Sequence, residues 1–194
     1  TIRYGLGAVK GTGEQAVNII LAARKEGGPF KDLFDFCQRV DKRMVNRRTV
    51  EALIRAGAFD ALDAAASATP AHRARLLASV GIAMDWAEQA ERNAMQAGLF
   101  DMGAAAEEHA PHYVEVPRWS EKQQLTEEKT ALGFFFSGHP YNAVRAEVSR
   151  FVRRSLDKLE PQRDLQLMAG LVTTTRTKIT GRGKMVFVTL DDGT

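Results

Sequence analysis

Residues 10–13, "KGTG", have the types and spacing to hold a phosphate. Glycines at 11 and 13 let backbone approach an anion with no Cβ in the way. A helix starting just after Gly13 would aim free N–H groups and the positive end of its dipole at the same anion. Lys10 and Thr12 add a cation and a hydroxyl beside the turn. A glycine-capped helix pair without any ligand has the same look, so the stretch alone leaves both readings open. A second set, Arg47 and Arg48, falls in the first turn of a helix that Asn46 can cap. Helix dipoles disfavour cations at that end, so either an anionic partner compensates or the two arginines are simply solvated. A third set lies near the end of the chain, where Arg176, Lys178, Arg182 and Lys184 with Phe187 resemble the basic-plus-aromatic surface by which OB-folds track single strands.

Residues for bond-making chemistry are missing from this pattern. His109 and His112 are three apart, but no further ligand has zinc-site spacing. His139 precedes Pro140 and reads as a turn residue, and no serine or aspartate is placed to complete a triad with it. Asp191 and Asp192 are adjacent acids in a turn rather than a metal pair. The lone Cys37 excludes an internal disulfide framework, suits a reducing compartment and reads as a buried thiol. The expectation is a binding chain with no catalytic residue, metal or cofactor of its own.

The elements that must position these residues follow from composition and period. With 194 residues, 44% apolar and 26% charged, the chain can bury a core and form one or two domains. No apolar run approaches the roughly 18 residues of a membrane span, and no basic-then-apolar signal opens the chain, so a cytoplasmic protein without membrane contact is expected. Residues 1–60 carry eleven Lys/Arg against seven Asp/Glu, 61–120 four against eight, 121–160 seven against six, and 161–194 five against three. Two basic regions flank an acidic middle, which suits phosphate binding but also suits an ordinary solvated surface.

"YGLGAVKGTGEQAVNIILAAR" reads as a short helix, a Gly-x-Gly turn and a second helix with Ala16, Val17, Ile20 and Ala23 on one face, which is a helix-hairpin-helix. Phe30, Leu33, Phe34 and Phe36 form an apolar cluster, and the helix capped by Asn46 runs through Val50, Leu53 and Ile54 to a stop at Gly57. Residues 72–95 continue as a helix with a stripe of Leu77, Val80, Met84, Ala87 and Ala94. "DMGAAAEEHAPHYVEVP" reads as a linker. A helix starting at Ser120 or Thr126 runs through Leu132 to a turn at "SGHP". The period then changes: "MAGLVTTTRTKIT" and "KMVFVTLDDGT" are β-rich runs around the hairpin loop "GRGK".

The fold class expected is mainly α, a tandem helix-hairpin-helix-like region, followed by an α-helical connector and the first strands of an OB-fold β-barrel. The domains expected are residues 1–95, 96–119, 120–163 and 164–194, in that order duplex-binding region, motif and linker, connector, and truncated OB-fold. Two strands are too few for a five-stranded barrel and Thr1 is not a methionine, so a fragment of a larger protein is expected.

"LGAVKGTGEQAV", "NRRTVEALIRAGAFD", "EKTALGFFFSGHPYN" and "AGLVTTTRTKITGRGKMVFVTLDDGT", in that order and spacing, resemble the C-terminal half of the bacterial replicative C-family DNA polymerases, the polymerase III alpha family. The resemblance covers nearly the whole chain. It implies that the hairpin region contacts duplex DNA, that the OB domain lies near single-stranded template, and that an internal motif binds the sliding clamp. "QAGLF" is similar to that motif, with Gln96, Leu99 and Phe100 at its glutamine, aliphatic and aromatic positions. An apolar pair beside a linker then makes sense as an insertion into a pocket of another protein.

The resemblance further implies a fragment of a DNA-directed DNA polymerase, a nucleotidyltransferase supporting processive synthesis with other holoenzyme subunits. The carboxylates that hold magnesium would lie upstream of Thr1. A helix-hairpin-helix module of a DNA repair protein is the alternative, and residues 120–194 argue against it. A protein-interaction scaffold would fit if both basic regions were only solvated faces.

Overall fold

The computed structural model describes residues 4–62, 72–100, 111–181 and 183–194, with backbone alone for residues 96–100. Among the described residues, six α-helices precede a two-stranded antiparallel sheet. They are α1 (Glu14–Gly27), α2 (Leu33–Arg39), α3 (Arg47–Arg55), α4 (Arg73–Phe100), α5 (Glu121–Leu132), α6 (Asn142–Val148), β1 (Leu171–Thr180) and β2 (Gly183–Asp191). The chain divides into two compact units, Thr1–Phe134 and Phe135–Thr194.

The first unit is organised by the apolar faces of its helices. The Asp32 carboxylate accepts from the Asp35 N–H and the Asn46 side chain from the Thr49 N–H, each satisfying a first-turn donor that the helix itself leaves open. Leu33, Phe34 and Phe36 of α2, Val50, Leu53 and Ile54 of α3, and Leu76, Val80, Ala83 and Ala87 of α4 form one buried cluster with Ala16 and Ile20 of α1. Burying each large side chain there stabilises by about 1.5–3 kcal/mol. Phe36 meets Phe30 and Phe59 edge-on, both at 4.9 Å between ring centroids. Cys37 lies in the same core, and burial pushes its thiol up to about 12, which keeps it unreactive.

The structure corrects one reading of periodicity here. The α4 stripe includes Leu76 and Ala83, whereas Ala94, further along the helix, is exposed. Residues 111–119 have no regular structure, yet they are fastened rather than free. The Tyr113 ring stacks near Phe34 at 5.1 Å, its hydroxyl accepts from the Leu33 N–H at 3.3 Å, and the Val114 N–H donates to Ser79 Oγ at 2.9 Å.

Helix α5 packs on α3 and closes a buried charge cluster. Glu128, fully buried, accepts from Arg73 at 2.8 Å, and Arg73 also holds Asp60 through two hydrogen bonds of 2.8 and 2.6 Å. Ser120 caps α5 through the Gln123 N–H, and Gly133 ends it in the left-handed region. Of the two starts open in the sequence, Ser120 is the one used.

The second unit is built differently. Its hairpin pairs Thr180 with Gly183, Lys178 with Met185 and Arg176 with Phe187, with a bulge between Val172 and Thr174. Both faces are largely exposed along its length. What holds its base is a polar clasp at the buried Asp192. The carboxylate accepts from the Leu156 N–H at 2.9 Å and from the Thr194 hydroxyl at 2.6 Å, while its carbonyl accepts from Arg145 at 2.7 Å. The Thr194 hydroxyl and the Leu156 N–H hold this carboxyl below its usual range. His139 sits in the turn before α6, where its Nδ1 accepts from the Tyr141 N–H at 3.3 Å and its ring packs edge-on to Phe135. Asp191, expected in a turn, is instead the last residue of β2, paired with Leu171, and its carboxylate accepts from the Gly193 N–H at 3.0 Å. Among the described residues no helix is long and apolar enough to cross a membrane.

Candidate nucleic-acid interface

Gly11 makes the first turn possible. Its φ is +82°, a conformation that side chains disfavour, and the space where a Cβ would sit is open. The element before it is one 3-10 turn, Leu6–Ala8, shorter than the helix the sequence suggests. Gly13 has ordinary backbone angles and acts as the N-cap of α1 without any side-chain hydrogen bond. The first-turn N–H groups of α1 therefore have no side-chain cap, in contrast to α3, where Asn46 supplies one. Nothing lies within 4 Å of a Cβ built on Gly13, so an anion has room to approach. Glu14, in the same first turn, is the one local charge that opposes it.

The start of α3 meets this turn through Thr49. The Thr49 hydroxyl, one residue beyond Arg48, donates to the Gly11 carbonyl at 3.5 Å, so the start of α3 abuts the glycine turn. Arg48 is exposed and forms no ion pair among the described residues. Arg47 is exposed too, but its guanidinium holds Glu51 at 2.8 Å. An exposed pair of this i,i+4 kind contributes only about 0.3–0.5 kcal/mol, so a phosphate could displace the carboxylate. The Lys10 backbone N–H donates to the Ala131 carbonyl at 2.8 Å, and its ammonium lies against Gly133 at the C-terminal end of α5. Helix dipoles favour a cation there, which gives Lys10 a structural role as well.

Thr12 is the exception. It is 8% exposed, its hydroxyl is buried without a partner, and its N–H is already donated to Val9 at 3.1 Å. The hydroxyl expected beside a phosphate instead points into the protein.

In the second unit the register divides the expected surface. Arg176, Lys178, Met185 and Phe187 share one face, because residues directly opposite in an antiparallel pair project to the same side. Lys184 pairs with Ile179 and lies on the other face, beside Val186 and Val188. The spacing already carried that signal, since Lys184 and Phe187 are three apart and a strand alternates every residue. Arg182 lies outside the described residues. Gln96, Leu99 and Phe100 belong to the last turns of α4 by backbone, and their side chains lie outside the described residues, as does His109.

A family model described as helix-hairpin-helix motif matches residues 1–68. The chain is 50% identical over 191 residues to the DNA polymerase III subunit alpha of Neisseria meningitidis serogroup B, covering 98% of this chain and 16% of that protein. It is 44% identical over 205 residues to the subunit of the same name from Pseudomonas aeruginosa, covering 98% and 17%, and 39% identical over 198 residues to that of Escherichia coli O6:H1, covering 98% and 16%. The chain spans about one sixth of the length of these curated relatives.

Proposed function

We propose that this chain, a relative of the DNA polymerase III alpha subunits along 98% of its own length, is the DNA-gripping and clamp-binding portion of such a polymerase and supports processive DNA synthesis. The observation that carries the reading is the Gly11–Gly13 turn, where the start of α1 has no side-chain cap and opens onto free space, and where the start of α3 abuts through Thr49. Free first-turn N–H groups, a dipole end and Lys10, Arg47 and Arg48 suit a duplex phosphate backbone and read no sequence. The hairpin face of Arg176, Lys178 and Phe187 suits single-stranded template as the first part of an OB-fold. Gln96, Leu99 and Phe100 serve as the sliding-clamp motif, tethered so that a weak contact works at high effective concentration. The setting is the bacterial cytoplasm, with other polymerase III holoenzyme subunits as partners.

Nucleotidyl transfer belongs to the part of the polymerase outside this chain. No group of three His, Cys, Asp or Glu among the described residues could hold a metal ion.

Titration of primer-template duplex with the chain, with and without sliding clamp, tests the reading. Gly13→Val is the sharp variant, because its φ of −73° and open surroundings leave the fold unstrained while the new side chain blocks the phosphate. Duplex binding should weaken on every sequence, and Lys10→Ala should lower the salt slope by about one. Unchanged affinity in both, with intact circular dichroism, refutes the phosphate contact. Replacing Gln96, Leu99 and Phe100 by alanine should abolish clamp binding, and full retention refutes that part.

A further inference from the structure

Residues 135–194 carry ten Lys/Arg against six Asp/Glu, whereas residues 1–134 carry seventeen against eighteen. The positive surplus of the protein belongs to the second unit. Its densest part is outside the hairpin, in "RFVRR" at residues 150–154. This segment is anchored at both ends. After α6, the N–H groups of Phe151 and Val152 both donate to the Val148 carbonyl at 2.9 Å, and further on the Leu156 N–H donates to Asp192 at 2.9 Å. Between the anchors the smaller Val152 is half-buried, while the larger Phe151 is left 75% exposed. Arg150, Arg153 and Arg154 around it are exposed, and their guanidinium groups form no ion pair among the described residues.

The C-terminal end of α6 accounts for a cation at Arg150, since the helix dipole favours one there. It accounts for neither Arg153 and Arg154 beyond that end nor the exposed ring between them. We propose that residues 150–154 form a contact for single-stranded nucleic acid, in which Phe151 stacks on a base and Arg150, Arg153 and Arg154 neutralise the phosphates around it. A duplex hides its base faces from such a ring, whereas a single strand presents them. An acidic protein segment would satisfy the arginines but leave the flat face of Phe151 without a matched partner. The contact lies beside the hairpin base through the Leu156–Asp192 bond and goes beyond the roles proposed for the Gly11–Gly13 turn and the hairpin face.

Fluorescence anisotropy of the 194-residue chain with labelled dT12, and in parallel with a 12-base-pair duplex, tests it. Phe151→Ala should weaken dT12 binding roughly five- to a hundredfold and leave duplex affinity unchanged. Phe151→Trp should retain dT12 binding, which shows that the ring and not the fold is being read. Replacing Arg150, Arg153 and Arg154 by alanine should lower the single-strand salt slope by about two. The proposal is overturned if Phe151→Ala binds dT12 like the parent while Phe187→Ala does not, because the hairpin is then the sole single-strand contact. It is equally overturned if Phe151→Ala weakens binding to poly-L-glutamate as much as to dT12, or if the parent chain fails to bind dT12 at low salt. Failure of the duplex reading appears instead in the Gly13→Val duplex titration, which these outcomes leave untouched.

Discussion

In the first unit Arg39, Arg47, Arg55 and Arg73 each hold a carboxylate of the same unit, while in the second Arg150, Arg153, Arg154, Arg176 and Lys178 hold none among the described residues. The difference follows from what surrounds each group. A guanidinium such as that of Arg73, packed among helices and 9% exposed, is tolerable only if its charge is met inside the protein. A cation on an open hairpin or an exposed strap has water already, and nothing in the fold requires a partner for it. Apolar burial divides the units the same way. Leu53 and Ile54 are sealed in a core, whereas Ile179 is 84% exposed on its strand. The first unit is a packed body with one polar turn left uncapped, and the second is a polar clasp displaying cations.

That contrast is sharpened first by removing apolar contacts. Leu53→Ala should destabilise the chain by about 3–4 kcal/mol in urea unfolding followed by circular dichroism. Ile179→Ala should change stability by less than about 0.5 kcal/mol, because its side chain is mostly in water already. Comparable losses at the two positions would break the comparison.

The next effect concerns charge. Glu128→Ala leaves Arg73 with Asp60 and the Arg55 carbonyl, and the loss should be about 3 kcal/mol, the low end for a broken buried pair. Arg176→Ala should leave the unfolding midpoint unchanged and affect only nucleic-acid binding. A stable Glu128→Ala protein would show that the pair is dispensable to the core.

Within the second unit, Asp192→Ala removes the acceptor of the Leu156 N–H and of the Thr194 hydroxyl. A loss of about 1–2 kcal/mol is expected. The Leu156 amide should exchange faster with solvent while amides of α3 keep their protection. Equal protection at Leu156 in variant and parent would remove the clasp from the account.

The smallest effect is acidic. His72 has its pKa lowered by burial, with Arg118 and Arg75 adding to the shift, so its charged form is disfavoured in the fold. The unfolded chain then binds the proton more readily. This contribution to stability is present above the ordinary histidine value near about 6.5 and is lost as pH falls below it. His72→Gln should flatten a small decline in melting temperature through that window. An unchanged decline assigns it to the carboxylates.

Much of this was legible locally. Asn46 and Ser120 cap helices as their types and positions suggest, because a cap depends on residues within one turn. Gly11 takes the turn for the same reason, whereas "GRGK" is only in part a loop, since Gly183 and Lys184 already pair within β2. The "RFVRR" strap was as open to reading as the hairpin cations, by its interleaving of basic and aromatic residues. Which way Phe151 and Val152 point was not, since that depends on anchors at Val148 and Asp192.

By itself, then, the sequence determined that Asn46 starts a helix, that the chain reverses at Gly11, and that Leu33, Phe34, Leu53 and Ile54 belong inside. Each of these rests on interactions a few residues apart or on an apolar period. Only the tertiary structure decided that Glu128 is buried against Arg73, 55 residues away, that the Thr12 hydroxyl turns inward, and that the start of α3 abuts the Gly11 turn, 38 residues earlier. Contacts across such separations arise from how helix faces stack, and no local preference encodes which charged side chain a neighbouring helix will enclose.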